Sequence, residues 1–280
     1  MEAVVAGVVA ELAPGLRRLT APNPGMMTGP GTNAYLVGTA DLAVVDPGPD
    51  LPEHIEKLAH LCGDRLRWIL CTHTHRDHSP GARRLAQLTG AQLAGRPVPD
   101  DPRHDETFAP DRILQDGEVI HAGEVTLRAV HTPGHASNHL CFLWEEAKLL
   151  FTGDHIMQGS TVVISPPDGD MAVYLRSLHK LLDYDLAQLA PGHGRLIDAP
   201  HEEVRRLVAH RLKRERKVFE AVCAVPGETL PVLVKTAYDD APEKLHAVAQ
   251  RSLHAHLLKL AEEGRVREDE GRWSAVNGEP

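Results

Sequence analysis

The apolar run LRWIL, Leu66–Leu70, leads almost directly into Thr72-His73-Thr74-His75-Arg76-Asp77-His78, which holds three histidines and an aspartate within six residues. Ionisable side chains that dense are costly in a core when unpaired and gain little on a surface. A chain that sets them directly after a strand-like run has a use for four potential ligands in one place. In the extended part, residues i and i+2 point to one side, so His73 and His75 can converge on one ion. Beyond Arg76 the chain turns, and Ser79-Pro80 reads as a helix start. Asp77 and His78, at that turn, would face a second ion beside the first. Imidazole nitrogen and carboxylate oxygen are ligands that a borderline ion such as zinc accepts.

Two ions need more than four ligands. The further candidates are His135 in HTPGHASNH, Asp154 in LFTGDH and His193 in LAPGHG, each directly after a glycine that closes a strand-like run. A shared carboxylate offsets the repulsion between two cations, and Asp154 suits that place. The expected first site is His73, His75 and His135; the second is Asp77, His78 and His193; Asp154 bridges them. A lone H-x-H is a weak signal that unconnected core or surface histidines could supply, whereas four such motifs in order are a specific one.

Composition narrows the class. No apolar run approaches the length of a membrane span. The opening MEAVVAGVVAELAPG has no basic n-region and carries Glu2 and Glu11, so no secretory signal is expected. Cys62, Cys71, Cys141 and Cys223 are scattered without paired spacing, which suits a reducing cytoplasm. The net charge of −9 argues against indiscriminate coating of nucleic acid. From residue 201 onward, 14 basic and 14 acidic residues cancel, so the whole acidic excess precedes it.

Short strand-like runs alternate with helical ones in that first part. NAYLVGT and DLAVVDPG read as paired strands, LPEHIEKLAHLCG as a helix, and GARRLAQLTG as another. QLAGRPV, RILQDGEVI with its turn, VTLRAVHTPG and a hairpin in HLCFLWEEAKLLFTGD follow, then the helix MAVYLRSLHKLLDY and the strand LAQLAPGHG. The expectation is an α/β sandwich of layers over residues 1–205. Residues 206–280 read as three helices followed by a hairpin around Gly271, the order of a winged helix-turn-helix. The helix containing Arg205–Lys217 makes the connection.

The set THTHRDH, TPGH, FTGD and PGHG resembles the metallo-β-lactamase superfamily in its two-metal, glyoxalase-II-like form. The resemblance implies an αββα sandwich with a small C-terminal winged-helix domain. It implies two divalent ions, zinc with manganese or iron accepted by the same ligands, held by His73, His75, Asp77, His78, His135, Asp154 and His193. It also gives Asp46 of VVDPG a supporting role and makes Asp77 the proton acceptor for the attacking water. Two cations sharing a water would make hydroxide available near neutral pH without a side-chain base. No G-x-S-x-G elbow is present, and Cys71 is expected to lie buried in its strand.

Closer in, NPGMMTGPGTNAYLVG, GSTVVISPPDGDMAVYLRSLHKLL and the C-terminal tail resemble the beta-lactamase-like protein 2 family. Its animal members are single-strand endoribonucleases, and related fungal ones act on polyketide thioesters. The substrates implied are a small ester, thioester or lactone, or single-stranded RNA. His155 stands where the ribonuclease-type members carry Asn, and His139 follows His135 by four. Either histidine could support a ligand, face substrate or simply pack. Arg205–Lys217 holds seven basic residues against Glu215, either a phosphate-tracking face or a solvated one. The winged helix could wall the cleft, form a homodimer contact, or, in the rival reading, make the chain a metal-loaded DNA-binding regulator without turnover. TGPGTN could cradle an anion through its amides.

Overall fold

The computed structural model describes residues 4–276. They form two compact units. The first is the chain up to Thr132 with Asn138–Ser160 and Tyr184–His201; the second is Pro133–Ser137, Thr161–Asp183 and the chain from Glu202.

In the first unit, β1 (Val9–Ala13), β2 (Leu16–Thr20), β3 (Asn33–Val37) and β4 (Leu42–Val45) pair antiparallel in succession. Strands β5 (Leu66–Leu70), β6 (Gln92–Gly95) and β7 (Arg112–Ile113) then add in parallel, completing a seven-stranded sheet in chain order. Parallel steps need crossovers, and α1 (Pro52–Cys62) and α2 (Gly81–Thr89) provide the first two. A second sheet is built from β8 (Val119–Ala122), β9 (Val125–His131), β10 (Leu140–Trp144), β11 (Leu149–Gly153) and β12 (Gln188–Pro191), in the order β12-β11-β10-β9-β8.

Side-chain alternation divides the apolar residues between two cores. Tyr35, Val37, Ala43, Val45 and Leu70 of the first sheet meet Leu127, Ala129, Leu140, Phe142 and Phe151 of the second. The intervening residues Ala34, Leu36, Leu42, Val44 and Ile69 pack with Ile55, Leu58 and Leu85 of α1 and α2. Strands buried on both faces read as continuous apolar runs, which is why NAYLV and LAVV show no polar alternation.

Among the strands, one segment differs from expectation. RILQDGEVI is split between the sheets: Arg112–Ile113 closes the first and Val119–Ala122 edges the second. Leu114, fully buried among residues of both sheets, carries the chain from one to the other.

In the second unit, Asp170 caps α3 (Met171–Lys180) by accepting the Val173 amide at 2.8 Å. Beyond it come α4 (Pro200–Ala224), α5 (Leu230–Ala237), α6 (His246–Glu262) and the hairpin β13 (Val266–Asp269) and β14 (Arg272–Ala275). Val218 and Val222 of α4, Leu233 and Val234 of α5, Leu253, Leu257 and Leu260 of α6, and Val266 and Trp273 of the hairpin make one apolar cluster. The hairpin turns on Glu270 and Gly271, at φ 48° and 78°, the two positive values a two-residue type I′ turn requires. Helix α6 starts later than its apolar pattern suggests, after a 3-10 turn at Glu243–Leu245 that follows Pro242.

Candidate metal centre

The first unit brings its ligand candidates to the carboxyl ends of β5, β11 and β12. Strand β5 runs out at Leu70, and the loop that follows carries His73, His75, Asp77 and His78 before α2 begins. Asp154 and His193 stand just past β11 and β12, which lie parallel and adjacent in the second sheet. One ligand atom each from His73, His78 and Asp154 lie within 4.8 Å of one another, and so do those of Asp77, His78 and His193. His73 Nε2 and His75 Nδ1 are 3.0 Å apart. Gly192 keeps this gathering open, because a Cβ there would meet His78 Cε1 at 2.7 Å and Asp154 Oδ1 at 2.9 Å.

The outer nitrogens are pinned so that the inner ones face the cluster. Asp46 Oδ1 accepts the Thr72 amide at 2.7 Å, while its Oδ2 accepts the Thr72 hydroxyl at 2.7 Å and His78 Nδ1–H at 2.9 Å. Because the Thr72 hydroxyl proton goes to Asp46, Thr72 Oγ1 accepts from His73 Nδ1–H at 3.0 Å. His193 Nδ1–H donates to the Gly31 carbonyl at 3.1 Å. Each bond leaves Nε2 on the cluster side, the arrangement metal-ligating histidines adopt. Asp46 is held at φ 52°, a left-handed conformation that Asp tolerates better than most residues.

Electrostatics favour a cationic occupant. His78 Nε2 makes no hydrogen bond among the described residues, yet lies 3.5 Å from Asp77 Oδ2 and 3.4 Å from Asp154 Oδ1. His193 Nε2 is 3.3 Å from the same two oxygens. Burial opposes charge on these groups, but the opposite charges jointly outweigh it. His193 is pushed up to about 10 by Asp154 and Asp77, and His78 well above its usual value by Asp77, Asp154 and Asp46. Against burial, His78 and His193 together hold Asp77 at about 2. His73, by contrast, is held well below its ordinary value by burial and then by His78, His75 and His139, so it stays neutral. The donor set fits divalent metal: His73 is a neutral imidazole, a metal can displace the Nε2 protons of His78 and His193, and the carboxylates are ionised.

His135 belongs to the second unit, on Pro133–Ser137, where its Nδ1–H donates to the Val163 carbonyl at 2.8 Å. His139 is fully buried and stacks on His73, with centroids 5.0 Å apart and planes at 29°. His155, also fully buried, packs on His139 at 5.8 Å. Neither faces solvent. Cys71 is buried, and burial, then Asp46 and Asp105, push its thiol well up, which suits packing and not attack.

Three contributors escaped the sequence reading. Thr72 joins Asp46 to His73. Thr32 Oγ1 donates to Asp77 Oδ2 at 3.3 Å. His104, fully buried, lies 4.5 Å from the His75 ring, and its Nδ1 shares a 2.7 Å hydrogen bond with Thr74 Oγ1. The only local signal for Thr32 was TGPGTN. That segment is engaged within the protein: Gly31 accepts from His193, and Asn33 Nδ2 donates to the carbonyls of Pro191 and Gly194 at 3.0 and 2.9 Å.

Residues 27–193 match the model of the metallo-beta-lactamase superfamily, and residues 229–273 that of the beta-lactamase associated winged helix domain. The chain belongs to the metallo-beta-lactamase superfamily. Its fold is the αββα sandwich of that superfamily with a C-terminal winged-helix domain. Metallo-beta-lactamase superfamily proteins are generally hydrolases, and the fold binds divalent metals. The chain is 34% identical to a beta-lactamase-like protein 2 homolog of Drosophila melanogaster over 92% of each sequence. It is 28% identical to an atrochrysone carboxyl ACP thioesterase of a Cryptosporiopsis species, over 92% of this chain and 83% of that one. The crystal structure of a metallo-beta-lactamase family protein from Thermus thermophilus superposes with a TM-score of 0.79 at 24% identity, covering 95% of this chain and 100% of the other.

The basic stretch of α4 is largely committed inside the second unit. Arg206 pairs with Glu203 at 2.6 Å, and Arg211 donates to the Val162 carbonyl. Arg214 pairs with Asp240 at 2.8 Å and lies 4.1 Å above the Tyr238 ring. Lys217 pairs with Asp239 and Asp240. Among the described residues, no helix is long and apolar enough to cross a membrane.

Proposed function

We propose that this metallo-beta-lactamase superfamily protein is a dinuclear, metal-dependent hydrolase of small carbonyl esters, with thioesters as the leading class. The reading rests on one observation: His73, His78, His193, Asp77 and Asp154 converge with the outer nitrogen of each imidazole already bonded. His73, His75 and His135 would hold one ion, and Asp77, His78 and His193 the other, with Asp154 between them. Zinc suits the nitrogen-rich set, and manganese or iron would be accepted by the same atoms. Two divalent ions there would supply water acidified toward neutral pH and Lewis-acid polarisation of a carbonyl oxygen.

The chain's own residues do the rest. Asp77 is the more exposed of the two inner carboxylates, its side chain 28% accessible against 13% for Asp154. That exposure supports Asp77 as the group that accepts a proton from the attacking water and returns it to the leaving group. Thr32 fixes the Asp77 oxygen that faces His78 and His193. The thioester preference is supported by the fungal relative named as a thioesterase. It is supported too by the internal pairing of four α4 cations that a phosphate backbone would otherwise need. The scattered, unpaired spacing of the four cysteines supports a reducing compartment such as the cytoplasm.

Side-by-side turnover of an acyl-pantetheine thioester, a lactone, labelled single-stranded RNA and nitrocefin tests this, with and without chelator and with Asp77→Ala. Thioester cleavage lost on chelation and in the variant supports the reading. RNA cleavage lost in the same way would replace it with an endoribonuclease. A salt-dependent shift of duplex DNA without turnover of any substrate would favour a regulator.

A further inference from the structure

The second unit grips the backbone that orients His135. The loop Pro133–Ser137 is tied down along its length: Pro133 O accepts the Ser177 hydroxyl at 2.7 Å, Gly134 O accepts the Asp170 amide at 2.8 Å, and the Ser137 amide donates to Asp168 at 3.1 Å. Gly134, at φ 136°, is pressed so close to α3 that a Cβ would sit 2.4 Å from Tyr174 Cα. The histidine ring depends on a different contact, its Nδ1–H donating to the Val163 carbonyl. The residues on either side of Val163 are held by the C-terminal helices. Val162 O accepts from the Arg211 guanidinium of α4, and the Ile164 amide donates to Ser252 Oγ of α6 at 3.2 Å.

Arg211 and Ser252 thus hold the residues on either side, while the carbonyl of Val163 is left to His135. Val162, Ile164, Arg211 and Ser252 are all buried. Arg211 is costly to keep there. Its guanidinium lies 5.3 Å over the Tyr174 ring, and its Nε makes no hydrogen bond among the described residues. A cation retained in such surroundings for one backbone carbonyl marks that carbonyl's position as important.

We propose that Arg211 and Ser252 are positioning residues for the metal ligand His135. The proposal rests on His135 being a ligand, as read above. With the Val163 carbonyl fixed, the imidazole keeps its Nδ1–H tautomer and leaves Nε2 for the ion. With the carbonyl loosened, ring and tautomer are both free to change, and affinity for that one ion falls.

The test is zinc titration of the full-length, chelator-stripped protein against a chromophoric chelator. The variants are Ser252→Ala, Ser252→Thr, Arg211→Met and His135→Ala, with the exposed α4 substitutions Lys213→Ala and Arg216→Ala as controls. Wild type and controls bind two ions. Ser252→Ala and Arg211→Met bind one ion with wild-type affinity and the other about 10- to 100-fold more weakly, and Ser252→Thr recovers the loss. If Arg211→Met does not fold, Ser252→Ala decides. Wild-type constants in both variants, with one ion lost in His135→Ala, would overturn this proposal and leave the functional reading standing. Two ions retained in His135→Ala, or none bound by wild type, would overturn both.

Discussion

Replacing Asp46 by Asn changes one oxygen to an amide nitrogen in a group that accepts three hydrogen bonds, two from Thr72 and one from His78. Asn tolerates the left-handed backbone at φ 52°, so the substitution tests chemistry and not strain. If the amide oxygen keeps the Thr72 N–H, the NH2 group takes the place of Oδ2 and cannot accept from His78 Nδ1–H. His78 must then flip its tautomer, accept at Nδ1 and carry its proton on Nε2, the atom that faces Asp77 and Asp154. Losing a charge-assisted hydrogen bond in a buried site is worth about 1.5–3 kcal/mol. At about 1.4 kcal/mol per tenfold, that predicts roughly 10- to 100-fold weaker binding of the ion held by His78. Competition with a chromophoric chelator reads the constant, and circular dichroism confirms the fold. Unchanged affinity for both ions in Asp46→Asn would refute the tautomer argument.

Metal affinity should also rise with pH. In the metal-free site the carboxylates hold His193 protonated up to about 10 and His78 well above its usual value, so each must lose a proton before Nε2 can bind. Between about pH 6 and 8 the apparent log affinity for that ion should climb by about two per pH unit, and a flat profile would contradict this. Gly192→Ala should strip metal and at least 100-fold of activity, since the added Cβ falls on His78 and Asp154; metal content near two per chain would count against that clash. In the second unit, His256 is held below 6.5, chiefly by burial, and its Nδ1 meets Glu215 at 3.3 Å. The unfolded chain therefore binds the His256 proton first as pH falls, and stability declines from about pH 6.5 downward. Glu215 adds to this. Despite burial, hydrogen bonds from His256 and Lys259 hold it below 4.5, so its contribution is present above that value and lost as pH falls further. His256→Gln should flatten the decline above pH 5 in chemical denaturation followed by circular dichroism; an unaltered slope would exclude His256 as its source.

The candidate ligands stood out because each of the four motifs opens alike: an apolar run, then Gly or Thr directly before its first His or Asp. Runs such as NAYLV and HLCFLW were legible for a similar reason, since burial on both faces leaves a continuous apolar signature. Partnerships across long separations were not. Thr74 meets His104 30 residues on, and Asn138 donates to Thr74 across 64; no local periodicity marks either. The basic face of α4 looked available because its partners Asp239 and Asp240 lie 22 to 26 residues away, beyond helix α5. The turn in RILQDGEVI was legible, but nothing in it shows that its two arms join different sheets with Leu114 between them. The gripping of Val162–Ile164 by Arg211 and Ser252 joins segments 49 and 88 residues apart, and only the folded chain reveals it.

Anomalous diffraction from a crystal of the zinc-loaded protein would test the dinuclear site most directly. The account predicts two peaks: one about 2.0–2.2 Å from His73 Nε2 and His75 Nδ1, the other at that distance from His78 Nε2 and His193 Nε2, with Asp154 reaching both. A zinc-soaked crystal with no peak among these atoms, or a single peak bound elsewhere on the chain, would contradict it.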